Sequence, residues 1–219
     1  SYNTNHNKVL SIGNAVPFAI GGFSSRTVQT VVAEGEPVGF IRGYKAVLNP
    51  DNSLKEILPL QNLGSTLPTA YGNFSLSASY KNLSFMLSGD YQYGAYVHSF
   101  DRQFRFSKGL KDDAIPEKAL EGLDQGANWL NFTNFFVEKS DFLKIRNIGI
   151  AYDYKPKKYL KSVNLAFNVY NPFAFTASSV DPEAALAGAR SQGAVAVGGL
   201  NYSSYSTPRQ YVGTIRVSF

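Results

Sequence analysis

The sequence predicts an all-β chain, a run of antiparallel transmembrane β-barrel wall with long loops along one edge. Three observations carry this expectation. Several segments alternate apolar and polar residues with period 2. The connections between them are either very short or very long. The polar strand faces are built from Ser, Asn, Gln, Thr and Gly, where the outer face of a soluble sheet usually carries Lys, Glu and Arg.

The clearest strand is Asn73–Tyr80, which sets Phe74, Leu76, Ala78 and Tyr80 against Asn73, Ser75, Ser77 and Ser79. After Lys81-Asn82 the pattern resumes: Leu83, Phe85, Leu87, Tyr91, Tyr93, Ala95 and Val97 share a face, Ser84, Ser88, Asp90, Gln92 and His98 the other, with Met86 as the apolar exception. A two-residue connection marks an antiparallel hairpin. Ile148, Ile150, Tyr152 and Tyr154 form a third strand, Val163, Leu165, Phe167 and Val169 a fourth, and Tyr211, Ile215, Val217 and Phe219 a fifth. Upstream, Val38, Phe40, Tyr44 and Ala46 suggest a sixth, broken by Gly39 and Gly43, and Thr27–Ala33 a seventh.

Short turns at Lys81-Asn82 and Lys155–Ser162 fall at one end of this sheet. The long connections, Val47–Thr69, Ser99–Ser140 and Pro172–Pro208, fall at the other. Structureless loops of this length are uncommon in compact soluble domains, whereas outer-membrane barrels pair short periplasmic turns with long extracellular loops. Tyr80, Tyr91, Tyr93, Tyr152, Tyr154 and Tyr211 lie nearer the strand ends, as an aromatic girdle requires.

Composition narrows the function classes. Of 219 residues, 17% are charged, against roughly 25% in soluble proteins, and 16 Phe and 14 Tyr bring aromatics to 14%. Cysteine is absent, so disulfides, thiolate metal sites and thiol nucleophiles are excluded. A hydrophobic fraction of 44% excludes a disordered chain. No stretch approaches the roughly 18 apolar residues of a membrane-spanning helix, and SYNTNHNKVL does not read as a secretory leader. The net charge of +5 is not concentrated. Its densest group, Lys155, Lys157, Lys158 and Lys161, reads as a solvated turn or a polyanion site, and no nucleic-acid partner is expected.

Five segments in order resemble the C-terminal part of the SusC/RagA-like family of TonB-dependent outer-membrane transporters. They are GEPVGFIRGYKAV (Gly35–Val47), LGSTLPTAYGNFSLSASYKNLSFMLSGDYQYG (Leu63–Gly94), FVEKSDFLKIRNIGIAYDY (Phe136–Tyr154), VYNPFAFTASSVDPE (Val169–Glu183) and STPRQYVGTIRVSF (Ser206–Phe219). Lys144, where the family often has Arg, and Asn171-Pro172-Phe173, in place of Asn-Leu-Phe, are departures. The resemblance implies the last six or seven strands of a 22-stranded barrel. Residues 1–219 are then the C-terminal portion of a longer protein, with plug and earlier strands outside it. It further implies integral placement in the bacterial outer membrane with extracellular loops and a periplasmic C-terminus. The implied partners are a SusD-like surface lipoprotein, TonB acting through the plug, the barrel-assembly machinery, the remaining barrel strands and the lipid bilayer. The implied activity is import of glycans, oligopeptides or similar bulky nutrients, with no enzyme activity and no cofactor.

Phe219, with Tyr211, fits the aromatic assembly signal that the resemblance implies; the alternative is a core Phe. Asp181-Pro182-Glu183 reads as a helix start before AALAGAR, with Asp181 as cap, and a calcium site is the alternative. Asp112–Asp124 reads as a second short helix with a solvated acidic face. His6 and His98 stand in no metal-ligand spacing, and no nucleophile, P-loop or dinucleotide motif occurs. Trp129, Tyr96, Tyr202 and Tyr205 lie in or beside the long connections, where they either stack on a ligand or contact a partner, or simply pack. Two other roles fit the same residues: an outer-membrane scaffold without transport, and a secreted carbohydrate-binding β-sandwich.

Overall fold

The computed structural model describes residues 1–22, 28–156, 160–183, 199–202 and 205–219. Its strands are β1 (Asn3–Thr4), β2 (Phe18–Gly22), β3 (Gln29–Val32), β4 (Phe40–Leu48), β5 (Leu54–Ser65), β6 (Ala70–Tyr80), β7 (Leu83–Tyr93), β8 (Tyr96–Ser99), β9 (Val137–Lys139), β10 (Phe142–Tyr154), β11 (Ser162–Thr176), β12 (Leu200–Asn201) and β13 (Gln210–Ser218). Helices α1 (Phe100–Ser107) and α2 (Gln125–Asn128) and 3₁₀ segments Glu117–Leu120 and Trp129–Phe136 lie between β8 and β9.

The wall is an antiparallel six-stranded sheet, β1-β6-β7-β10-β11-β13, that does not close on itself. Its register sorts the alternating residues into two faces. On one, Tyr80, Leu83, Tyr152, Leu165 and Ile215 form a row, followed by Ala78, Phe85, Ile150, Phe167 and Gly213, then Leu76, Leu87, Ile148, Val169 and Tyr211. On the other stand Ser79, Ser84, Ala151, Ala166 and Thr214, then Ser77, Met86, Gly149, Asn168 and Val212. The apolar rows remain uncovered: Leu76, Phe85, Ile150, Phe167 and Ile215 are all exposed. Of the tyrosines expected to form a girdle, Tyr80, Tyr93, Tyr152, Tyr154 and Tyr211 are exposed, whereas Tyr91 is half-buried and its hydroxyl donates to Ser1 O at 3.1 Å. Met86, out of place in the alternation, accepts a hydrogen bond from Asn147 Nδ2 at 3.8 Å on the polar face.

Several strands run differently from the expectation. The expected sixth and seventh wall strands are β4 and β3, and they belong to a separate four-stranded sheet, β2-β3-β4-β5; Thr27 lies outside the described residues. Val47–Thr69 is not a loop. It holds β5, which pairs back onto β4 across the turn at Asn49–Ser53. Pro59 and Leu60 (φ 53°) interrupt that ladder, which hides the strand from a periodicity reading and fits its position at the sheet edge. The strand from Leu83 to Val97 breaks at Gly94 (φ 84°), and β8 turns away to join β9 and β12. Strand β11 continues through Pro172 to Thr176, while the acidic stretch Asp112–Asp124 folds only as the single 3₁₀ turn Glu117–Leu120.

The short turns do fall at one end, where the Asp153 amide donates to Asn82 O at 2.8 Å; residues 157–159 of the lysine turn lie outside the described set. The four-stranded sheet, the small sheet β12-β8-β9 and the helices form a layer at the opposite end. Both hydrophobic cores lie in this layer and none of their residues comes from β6, β7, β10, β11 or β13. The larger gathers Ala46, Phe106, Ile115, Ala119, Phe132 and Phe136; the smaller, Val28, Ile41 and Leu200. Among the described residues the wall strands share in neither core, and the loop layer folds around both.

Candidate functional site

Where the polar face meets the loop layer, β10 carries a bulge between Ile145 and Asn147. The extra residue, Arg146, lets Lys144, Arg146 and Asn147 serve the same face although strict alternation would divide them. Lys144 sits opposite Asp90 of β7, and Asn147 opposite Ser88. Arg146 donates to both Asp90 carboxylate oxygens, at 2.5 and 2.8 Å, and to Glu183. Lys144 Nζ donates to Asp181 Oδ1 at 2.6 Å and Glu183 Oε2 at 2.5 Å. Five charges thus meet on the polar face, two of them from the segment that leaves β11.

Asp181 Oδ1 also accepts the Glu183 amide at 3.1 Å, the bond a helix cap makes. Residues 184–190, where the helix is expected, lie outside the described set. Burial pushes the Asp181 carboxyl up, but Lys144 and the Glu183 amide outweigh it and hold the group below the usual carboxylate range. With its carboxylate engaged by an ammonium, Asp181 is poorly suited to calcium, and no cluster of three or more metal-ligating side chains occurs among the described residues. A cleft of about 430 Å³ opens beside the cluster, lined by Tyr71, Asp90, Gln92, Tyr96, Phe142 and Glu183 among others. A second, of about 190 Å³, reaches Lys144 and Arg146.

The loop layer has its own ionic joint. Arg102 of α1 donates to Asp112 and Glu138 and lies over the Phe136 ring, 5.7 Å from its centroid. Glu138 in turn accepts from the Ser179 amide and, at 2.8 Å, its hydroxyl. His98, fully buried on β8, pairs its Nε2 with Gln103 Oε1 at 2.6 Å, and Gln103 Nε2 donates to Thr133 Oγ1 at 2.9 Å. His98 Nδ1 has no hydrogen-bond partner among the described residues. Burial, aided by the Arg102 charge and opposed by the Gln103 bond, lowers the His98 pKa from 6.5 to about 4. Between these values the unfolded chain binds a proton that the folded chain excludes. Stability is therefore fully present above pH 6.5 and falls by about 3 kcal/mol as the pH drops to about 4. Hydrogen exchange of the α1 amides across this range checks it; His98→Gln should flatten the profile.

The expected ligand-contacting aromatics divide. Trp129 and Tyr202 converge on Phe100, at 6.2 and 5.1 Å between ring centroids, both edge-on, and Phe104 stacks on the same ring at 6.1 Å. Tyr96 packs against the smaller core and lines the larger cleft. Tyr205 stands 94% exposed. Tyr211 and Phe219 are exposed at or beyond β13, Tyr211 facing the Phe167 ring at 6.5 Å. The sequence reading missed the charge cluster. Its only local signal is two cations, Lys144 and Arg146, just upstream of the strand read from Ile148.

No protein-family model and no curated protein sequence matches the chain. Its fold is similar to solved structures of the RagAB peptide importer. The importer in the "open-open" state gives a TM-score of 0.67 at 18% identity, covering 100% of this chain and 26% of that one. The "closed-closed" state gives 0.66 at 18% identity, and the RagAB peptide transporter 0.65 at 19%, with the same coverage. The chain spans about a quarter of the length of these structures. The likeness establishes the fold alone: an antiparallel β-sheet that does not close on itself, similar to part of the β-barrel of those structures.

Proposed function

We propose that this chain forms wall and extracellular loops of a SusC-like, TonB-dependent outer-membrane importer of glycans, oligopeptides or similar bulky nutrients. The carrying observation is the uncovered apolar face of the six-stranded sheet, backed by a polar face whose charges are confined to one cluster beside the loop layer. A secreted β-sandwich would bury those rows under a second sheet. In a bilayer they face lipid, and the Ser- and Asn-rich rows face a wide lumen. The chain supplies wall and loops and no chemistry of its own. A SusD-like surface lipoprotein covers the loop layer, TonB acts through a plug that other parts of the protein provide, and Tyr211 and Phe219 serve recognition by the barrel-assembly machinery.

The test uses the full-length protein in its own cells. It should fractionate with the outer membrane, migrate as a heat-modifiable band, and co-purify with a surface lipoprotein. Its deletion should abolish uptake of a labelled peptide or glycan pool to the same extent as loss of TonB. A soluble secreted product supports the carbohydrate-binding sandwich, and membrane insertion without any uptake defect supports the scaffold.

A further inference from the structure

The segment Ala177–Glu183 leaves the end of β11 and returns over the polar face of the wall. Its near end is fastened by the Ala177 amide to Asp141 O at 2.9 Å, and by Ser179 to Glu138. Among the described residues its far end is fastened mainly by charge, Asp181 and Glu183 on Lys144 and Glu183 on Arg146, with the Thr207 amide also donating to Asp181. Lys144 is 4% exposed, and its ion pairs are with these two carboxylates. With the segment in place, two cations meet three carboxylates. Without it, Lys144 and Arg146 are left with Asp90 alone, and the local balance changes from −1 to +1.

Buried ion pairs add little stability over well-packed apolar replacements, yet losing one partner strands the other charge at high cost. Such a contact is better suited to choosing between two positions than to strengthening one. Space for a competing ligand adjoins it. The smaller cleft reaches both cations, and Pro182 and Glu183 form part of the wall of the larger one, so movement of this segment joins the cations to that cleft. An Arg beside a Lys is a suitable receptor for a carboxylate, which the guanidinium binds in bidentate fashion.

We propose that Ala177–Glu183 is a displaceable strap whose Asp181 and Glu183 act as built-in counter-anions for Lys144 and Arg146, and that a carboxylate of the cargo takes their place and frees it. This rests on reading the polar face as the lumen. The import site would therefore favour cargo bearing free carboxylates, with the strap occupying the receptor in the resting state.

Val180→Cys, in a segment without native cysteine, reports strap position in the full-length protein in isolated outer membranes. The rate of labelling by a hydrophilic maleimide is read after subtracting the parent protein. The resting protein should label slowly. Lys144→Met with Arg146→Gln should label at least tenfold faster, as should Asp181→Asn with Glu183→Gln, which leaves the wall intact. The exchange Lys144→Asp with Asp181→Lys should move the rate back toward that of the parent. Succinate should accelerate labelling of the parent several-fold over sodium chloride of equal ionic strength, and should leave the Lys144→Met/Arg146→Gln protein unaffected. Unchanged labelling in both neutralised proteins, in barrels that still run as heat-modifiable bands, overturns the strap. Equal effects of succinate and chloride overturn the carboxylate receptor. A protein found outside the membrane overturns the lumen reading instead, whatever the labelling rates.

Discussion

Phe85→Arg should lower the stability of the folded protein by up to about 2–4 kcal/mol, the cost of a cation on the proposed lipid face, largest at the midplane. Phe85 sits in the middle of the apolar rows, between Ala78 of β6 and Ile150 of β10. Its neighbour Ser84 points to the other face, its hydroxyl 3.1 Å from that of Ser79. Ser84→Arg places the same charge one residue away, in water, and should cost less than about 1 kcal/mol. Urea titration of the refolded full-length protein in lipid vesicles, followed by the heat-modifiable band, reads both. Equal losses in the two proteins would remove the distinction between a lipid face and a lumen face.

Phe132→Ala should cost about 3–5 kcal/mol, the penalty for emptying a buried aromatic site, and the loss should stay within the loop layer. The Phe132 side chain is fully buried, packed against Phe106 at 5.8 Å between centroids and in one cluster with Phe136, Ile115 and Ala119. None of those neighbours belongs to the wall, so the barrel should keep its heat-modifiable band while the loops open. Trp129 packs on the same cluster and reports the change. Its emission, isolated by subtracting a Trp129→Phe protein, should shift to the red at lower urea than in the parent. Loss of the barrel band together with that shift would mean the two layers fold as one unit.

Strands β6 and β7, the lower part of β10, β11 and β13 were legible because their evidence is local. A two-residue period along Asn73–Tyr80 names both faces of a strand without reference to any partner. The hairpin at Lys81-Asn82 was legible for the same reason. Strands β3, β4 and β5 were different. Their alternation is broken by Gly39, Gly43 and Pro59, and whether they extend the wall or build a sheet of their own depends on where the chain reverses. The resemblance to SusC-like transporters anticipated the barrel, yet it did not locate the second sheet or the cores of the loop layer.

By itself the sequence determined that this protein carries strands with an apolar face and a sparsely charged polar face, since away from a bulge side-chain direction follows from residue parity. Only the tertiary structure decided the contents of the polar face. Lys144 meets Asp181 across 37 residues and Arg146 meets Asp90 across 56, and the bulge that aims Arg146 shows only once β7 and β11 lie beside β10. Asp181 and Glu183 have the spacing of a helix cap in the sequence and make ion pairs in the fold. A charge takes its role from what the chain brings within reach, and no local pattern records that distance.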